Sequence, residues 1–224
     1  MKTNISKIKK LTAIAMFCAL SYVCTVFVKI PGIAGFLTLA VKDALIVLCS
    51  LLFGPFAGVV IAVTVPFLEM ITISGTGWYG FLMNAMSSVT FSLTAGLIYK
   101  YRRTLWGAVI GLLCAVCSVT AVMLLANLLI TPLYIGGSSA DVAAMIPKIL
   151  FPFNLVKASL NAALVMLLYK PLSQVMKKTS LLPKSTEGRE EKNDKKKAIL
   201  RSVVISAVAV LIIAVSLYVI LVVL

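Results

Sequence analysis

Phe151-Pro-Phe-Asn154-Leu-Val-Lys157-Ala-Ser-Leu-Asn161-Ala-Ala-Leu-Val-Met-Leu-Leu-Tyr-Lys170 decides how the rest of the chain is read. The run is long and apolar enough to cross a bilayer, which takes about 20 residues, yet it carries Asn154, Lys157 and Asn161. A helix turns by about 100° per residue, so positions i, i+3 and i+7 share a face and these three side chains form one polar stripe. Such a stripe does not face lipid. A lysine at bilayer depth costs about 2.5–3.5 kcal/mol on insertion scales, and residues that carry this cost line cavities or pathways. Snorkelling is the alternative: Lys157 lies roughly 10 Å into the run at ~1.5 Å per residue, within reach of the headgroups for a long flexible stem. The two aligned asparagines favour the cavity.

Composition sets the class. Of 224 residues, 61% are hydrophobic and 12% charged, about half the charged fraction of soluble domains, and several further runs are long enough to span. The fold expected is an all-α integral membrane protein. A net charge of +14 would suit nucleic acid, but the basic residues gather in an N-terminal arm, one inter-helix loop and a C-terminal segment, as cytoplasmic flanks do. The partner implied is the lipid bilayer, with no nucleic acid. Cys18, Cys24, Cys49, Cys114 and Cys117 all sit in apolar runs without metal-ligand spacing, so neither a disulfide framework nor a metal site is expected. The basic start resembles a signal peptide, but no small-residue cleavage site precedes Pro31, and the first run is read as a retained helix.

Outward from the decisive stretch, the order is as follows. Residues 1–10 form a basic arm with Lys2, Lys7, Lys9 and Lys10, placing the N-terminus in the cytoplasm. The first span covers Leu11 to Val28, and within it Ala15 and Ala19 stand one turn apart, a spacing that admits a neighbouring helix or serves ordinary internal packing. Lys29 to Asp43 reads as an ordered outer loop, a candidate lid, before a short second span from Ala44 to Phe53. Gly54-Pro55 turns the chain into a third span, Phe56 to Ile73, where Pro66 is expected to kink the helix and Glu69 to lie at the outer interface. The fourth span, Tyr79 to Tyr99, carries Asn84, Ser87 and Ser88 and ends at Lys100-Tyr-Arg-Arg103. Gly107 and Gly111 open the fifth, Gly107 to Ile130, as a GxxxG contact face. Thr131 to Lys148 reads as an outer loop, and the sixth span returns to Lys170, Lys177 and Lys178. These spans make a membrane domain over residues 11–178. A mixed-charge cytoplasmic linker follows at 179–201, unable to bury a core. Residues 202–224 then form an additional helix without a polar stripe, an anchor or partner-binding element whose C-terminus lies outside. A chain ending near Lys178 is expected to keep its activities.

Three blocks carry a family resemblance: Asn127 with Pro132-Leu-Tyr134; Ile149-Leu-Phe-Pro-Phe-Asn154-Leu-Val-Lys157; and Leu168-Tyr-Lys-Pro-Leu-Ser173. Together they resemble the closing half of the riboflavin-binding S components of energy-coupling factor (ECF) transporters, the RibU family. Leu37-Thr-Leu-Ala-Val-Lys-Asp43 and Leu52-Phe-Gly-Pro-Phe-Ala-Gly58 resemble that family's first outer loop and second-to-third helix turn, and Ala15 with Ala19 its docking motif for the transmembrane coupling subunit. The resemblance spans Leu11 to Lys178. It implies a six-helix binding bundle in the cell membrane, to which residues 202–224 add a helix, with riboflavin as transported ligand and no cofactor. It implies that Asn127, Asn154 and Lys157 bond the flavin ring, with Asn84 and Tyr134 as additional candidates and Asn161, deeper in the run, bonding between helices instead. It also implies a coupling subunit and two ATPase subunits as partners, and the sequence has no Gly-x-x-x-x-Gly-Lys-Ser/Thr loop of its own. The third span lacks a polar Lys-Asn pair found in some members, and Phe81 replaces an acidic residue of others, so another vitamin is the runner-up. An enzyme is not expected, since there is no histidine and no carboxylate pair is expected within the spans. A stand-alone secondary transporter would show repeats with paired broken helices, which are not evident.

Overall fold

The computed structural model describes residues 2–31, 37–178 and 207–215. Its helices are α1 (Lys2–Phe27), α2 (Lys42–Phe53), α3 (Pro55–Thr72), α4 (Gly77–Tyr101), α5 (Leu105–Ile135), α6 (Ser139–Met145) and α7 (Phe151–Lys178), and residues 207–215 form a further helical segment, α8. Five of the helical segments are long and apolar enough to cross a membrane. The charged linker expected at 179–201 lies outside the described residues, as does the last helix apart from 207–215.

The short helix α2 is the centre of the bundle. Ile46, Val47, Leu48 and Cys49 are all fully enclosed, and a helix that is apolar and covered all round is one that other helices surround. Its neighbours are α1, α3, α4 and α7. At 12 residues it rises only about 18 Å, which is why it falls short of a full crossing. Gly54 ends it at φ 102°, a backbone conformation that L side chains rarely adopt, and Pro55 occupies the first turn of α3, where its missing N–H costs nothing.

Close helix approach depends on missing side chains. A Cβ at Gly96 of α4 would lie 2.1 Å from Ser50 Oγ, and one at Gly58 of α3 would lie 2.5 Å from Ser50 Cβ. Ser50 is therefore wedged between two glycines, and its hydroxyl donates to the Ser92 carbonyl at 2.7 Å. The GxxxG pair of α5 divides: Gly111 faces α4, where a Cβ would meet the Ala95 carbonyl at 3.1 Å, whereas Gly107 is confined by the Arg102 carbonyl just before its own helix. Only one of the two glycines serves helix-helix contact. Outward faces of α1, α3 and α5 carry Met16, Leu20, Val63, Ile71, Leu113, Leu125 and Leu129, all exposed, the apolar coat that lipid requires.

Several expectations change. The outer loop from Lys29 includes a two-stranded antiparallel hairpin, β1 (Lys29–Pro31) with β2 (Thr38–Ala40), so the fold is helical with a small strand pair rather than purely α. α3 runs unbroken through Pro66. Most of Thr131–Lys148 is not loop: α5 continues through Pro132 to Ile135 before Gly136 ends it at φ 76°. α6 then opens with a reciprocal Ser138–Asp141 capping box, which satisfies orphan N–H groups of its first turn. Between α6 and α7 the chain makes one wide turn, Ile146–Leu150, closed by the Phe151 N–H bonding the Ile146 carbonyl.

Two ends of the bundle are distinguished by their ties. At the hairpin end, Tyr22 of α1 donates to Thr72 of α3 at 2.9 Å. At the other end, the Tyr99 and Tyr169 hydroxyls join α4 to α7.

Candidate functional site

A cavity with about 220 Å³ of empty space lies among α2, α4, α5 and α7, lined by Asp43, Ser87, Phe91, Val119, Asn154, Lys157, Ala158 and Asn161. All three residues of the polar stripe thus face one cavity. Each does so in a different chemical state.

Asn161 is saturated by protein. Its Oδ1 accepts from the Ala44 N–H at 2.9 Å, and its Nδ2 donates to the Ala40 carbonyl at 3.1 Å and the Lys157 carbonyl at 3.0 Å. It therefore ties α7 to both sides of the β2–α2 junction, the interhelical role expected of it. Asn154, 5% exposed, donates from Nδ2 to the Leu150 carbonyl at 2.8 Å, and among the described residues its Oδ1 has no hydrogen-bond partner. Lys157 is half-buried and its ammonium has neither a hydrogen bond nor an ion pair among the described residues. The stripe presents an acceptor and a cation to the cavity and spends its third member on the fold.

Two charged residues that sequence reasoning placed in the outer loop stand at the mouth of α2. Lys42 is 1% exposed and Asp43 3%. Lys42 pairs with Glu69 of α3, and Ser88 of α4 donates to Asp43 Oδ1. Glu69, 3% exposed, is thus a core residue rather than an interfacial one. Moving two ions into low dielectric costs several kcal/mol each, and the pair survives burial because each charge has its partner in place. Asp43 faces the cavity beside Lys157, so buried carboxylates do lie within the membrane domain. Together Lys42, Asp43, Glu69 and Lys157 make two cations and two anions, which removes the field that a lone lysine would leave.

The remaining candidates lie apart from the cavity lining. Asn127, 1% exposed, donates to the Met123 carbonyl at 2.6 Å and accepts from Thr131 Oγ1 at 3.0 Å. Asn84, half-buried, reaches Glu69 Oε2 at 3.5 Å. Tyr134 stacks on Tyr79 with ring centroids 5.8 Å apart and planes at 28°. Ala15 and Ala19 are exposed on α1, while Ala13 and Phe17, on the other face, are buried. Internal packing does not account for the two exposed alanines.

Residues 9–169 match the family described as "ECF transporter, substrate-specific component". The chain is 31% identical over 185 residues to "Riboflavin transporter RibU" of Staphylococcus aureus (strain TCH60), covering 79% of this chain and 97% of that protein. It is 26% identical over 163 residues to "Riboflavin transporter FmnP" of Bacillus subtilis (strain 168), covering 67% and 85%. Among solved structures it is similar to one titled "Structure and mechanism of the S component of a bacterial ECF transporter", with a TM-score of 0.66 at 29% identity over 76% of this chain and 99% of that one. A helical bundle that carries a charge-balanced cavity, and that matches these proteins over most of its length, belongs to the substrate-specific components of ECF transporters.

Proposed function

We propose that this chain binds riboflavin and delivers it through a separate ATP-driven coupling module. The observation that carries this reading is the cavity chemistry: among the described residues Asn154 Oδ1 and the Lys157 ammonium have no hydrogen-bond or ion-pair partner, with the Asp43 carboxylate beside them. The imide edge of a flavin alternates carbonyl acceptors with an N–H donor. Lys157 supplies donors to the carbonyls, and Asn154 or Asp43 accepts from the N–H. The relatives named as riboflavin transporters support the same ligand. The ring system enters as the β1–β2 hairpin and the start of α7 give way. Asn127 and Tyr134, seven positions apart on α5, and Asn84 join the site as it reshapes.

In this reading α1–α5 and α7 are the six helices of the binding domain, and α8 is additional to them. The basic end of the bundle is cytoplasmic, by the excess of lysine and arginine there, and the chain resides in the cell membrane. It is a binding subunit and not an enzyme. Ala15 and Ala19 form the docking face for the transmembrane coupling subunit, which works with two ATPase subunits. Tryptophan at either position is expected to abolish uptake and leave riboflavin affinity within about twofold, because small residues permit close helix approach and a bulky ring does not. Parallel loss of binding and uptake would reject the docking role.

Quenching of flavin fluorescence by the purified chain tests the ligand. Saturable quenching at micromolar riboflavin or below, without ATP, is expected. Binding of thiamine, biotin or folate without riboflavin quenching would assign the site to another vitamin.

A further inference from the structure

Helix α8 has an asymmetric surface: Ala209 is 3% exposed and Ile213, one turn on, is half-buried, while Val208, Val210, Leu211, Ile212 and Val215 are all exposed. Positions i and i+4 lie on one stripe, so this helix is seated along a single line and meets lipid elsewhere. Ile213 packs against a compact apolar cluster of Leu37, Val142, Leu150, Phe153 and Leu160, whose edge includes Ile146 and Ile149. That cluster encloses the wide turn Ile146–Leu150. A turn closed by i+5 bonding has poorer hydrogen-bond geometry than an α turn and is held by its surroundings. Its last residue, Leu150, is fully enclosed and its carbonyl accepts the Asn154 amide at 2.8 Å. Phe153, 4% exposed, precedes Asn154 directly.

From this arrangement we infer that α8 is a positioning element of the binding site: Ile213 clamps the wide turn and thereby fixes the amide of Asn154 toward the cavity. The inference rests on the riboflavin reading only for its effect on the ligand; the clamp itself is a property of the empty chain. It runs against the expectation from sequence that a chain lacking the last helix behaves unchanged. No contact between α8 and ligand is required, because the coupling passes through Leu150 and Phe153. Between lipid-immersed helices the seat is made by packing and not by hydrophobic drive, so its effect on affinity is graded.

Full-length chain in lipid nanodiscs is compared with Ile213→Ala, Ile213→Leu and the outward-facing control Ile212→Ala. In the empty protein, amide hydrogen exchange over residues 146–154 is expected to speed up several-fold in Ile213→Ala, and to stay at the wild-type rate in Ile213→Leu and Ile212→Ala. With riboflavin, Ile213→Ala is expected to release ligand about 5–20-fold faster (~1–2 kcal/mol by the tenfold-per-1.4 kcal/mol relation), with the leucine variant restoring slow release. Wild-type exchange over residues 146–154 in Ile213→Ala overturns the clamp. Faster exchange with unchanged release overturns its link to Asn154. A wild-type chain that fails to bind riboflavin instead rejects the ligand assignment, and the exchange comparison still decides the clamp.

Discussion

The middle of the bundle and its hairpin end are built on opposite principles. Around Ser50 the helices meet because side chains are missing: Gly58 and Gly96 leave no room for a Cβ, and one serine fills the space. Around Lys42, Asp43 and Asn161 they meet because charges and amides are present and paired across α2, α3, α4 and α7. Lipid tails give apolar helices no reason to prefer one another over solvent, so either close backbone approach or polar bonding must supply the attraction. The first kind of contact is rigid and silent toward solutes. The second stores polar groups that a ligand can address, at the cost of a fold that depends on every partner remaining in place.

The comparison breaks most visibly at Lys42. Replacing it by methionine breaks the buried pair with Glu69, and a loss of about 3–5 kcal/mol is expected, as for other broken buried pairs. Lys42→Met with Glu69→Leu removes both charges and should recover most of it. Thermal melts of the three chains measure this, and equal damage in the single and double variants would show that the pair is incidental.

Asn161→Leu and Asn154→Leu sharpen the contrast within one helix face. The first takes the Asn161 donor from the Ala40 carbonyl and leaves the Ala44 N–H only its longer bond to the Val41 carbonyl at 3.2 Å, so about 1–3 kcal/mol of stability is expected to go. The second is expected to spare stability and weaken riboflavin binding by a similar amount. Melts and binding isotherms on both variants check the split, and a reversal of the two phenotypes would exchange the roles assigned here.

At the silent contact, Gly96→Leu should cost about 1–3 kcal/mol through overpacking, with affinity in the surviving folded fraction unchanged. A large affinity change with normal stability would show that α4 communicates with the site through Ser50.

Lys157→Met has the smallest expected effect on the fold. The variant keeps length and apolar volume but loses an ammonium that the described residues leave unpaired, so the empty protein should melt at or above the wild-type temperature. Its riboflavin affinity should fall by about 1–3 kcal/mol. Unchanged affinity would return Lys157 to the snorkelling alternative.

The asymmetry between legible and hidden features has a physical origin. The stripe at 154, 157 and 161 was readable because polarity inside an apolar run is a local anomaly with a fixed period. From sequence, Lys42 and Asp43 read as loop because a charge next to a strand-like segment looks solvated; nothing local says that Glu69, 27 residues on, will meet Lys42. The same sign-paired charges bordering two separate spans were the available signal. From sequence the fifth span reads as ending at Ile130, ahead of Pro132, because proline ends helices in water, whereas bundle neighbours and side chains re-satisfy the freed carbonyls in a membrane and α5 continues to Ile135. The signal for α6 is Ser138-Ser-Ala-Asp141 ahead of Val142, a capping-box pattern inside a segment otherwise rich in turn formers. The hairpin's register and the seating of α8 depend on tertiary partners that no window of sequence contains.

The hydroxyl bond between Tyr99 and Tyr169 turns α7 into a lever. Fifteen positions separate Tyr169 from Asn154, roughly 22 Å along a helix axis. A tilt of only about 5° around the tyrosine pair carries the asparagine some 2 Å sideways, well past the ~0.5 Å spread of good hydrogen-bond lengths. A rigid tilt of that size would remake the cavity's bonds without unwinding α7 or shifting its basic end. A helix pinned near its basic end by Tyr169 and tied by amides toward the other would convert a small angular change into making or breaking a ligand's bonds.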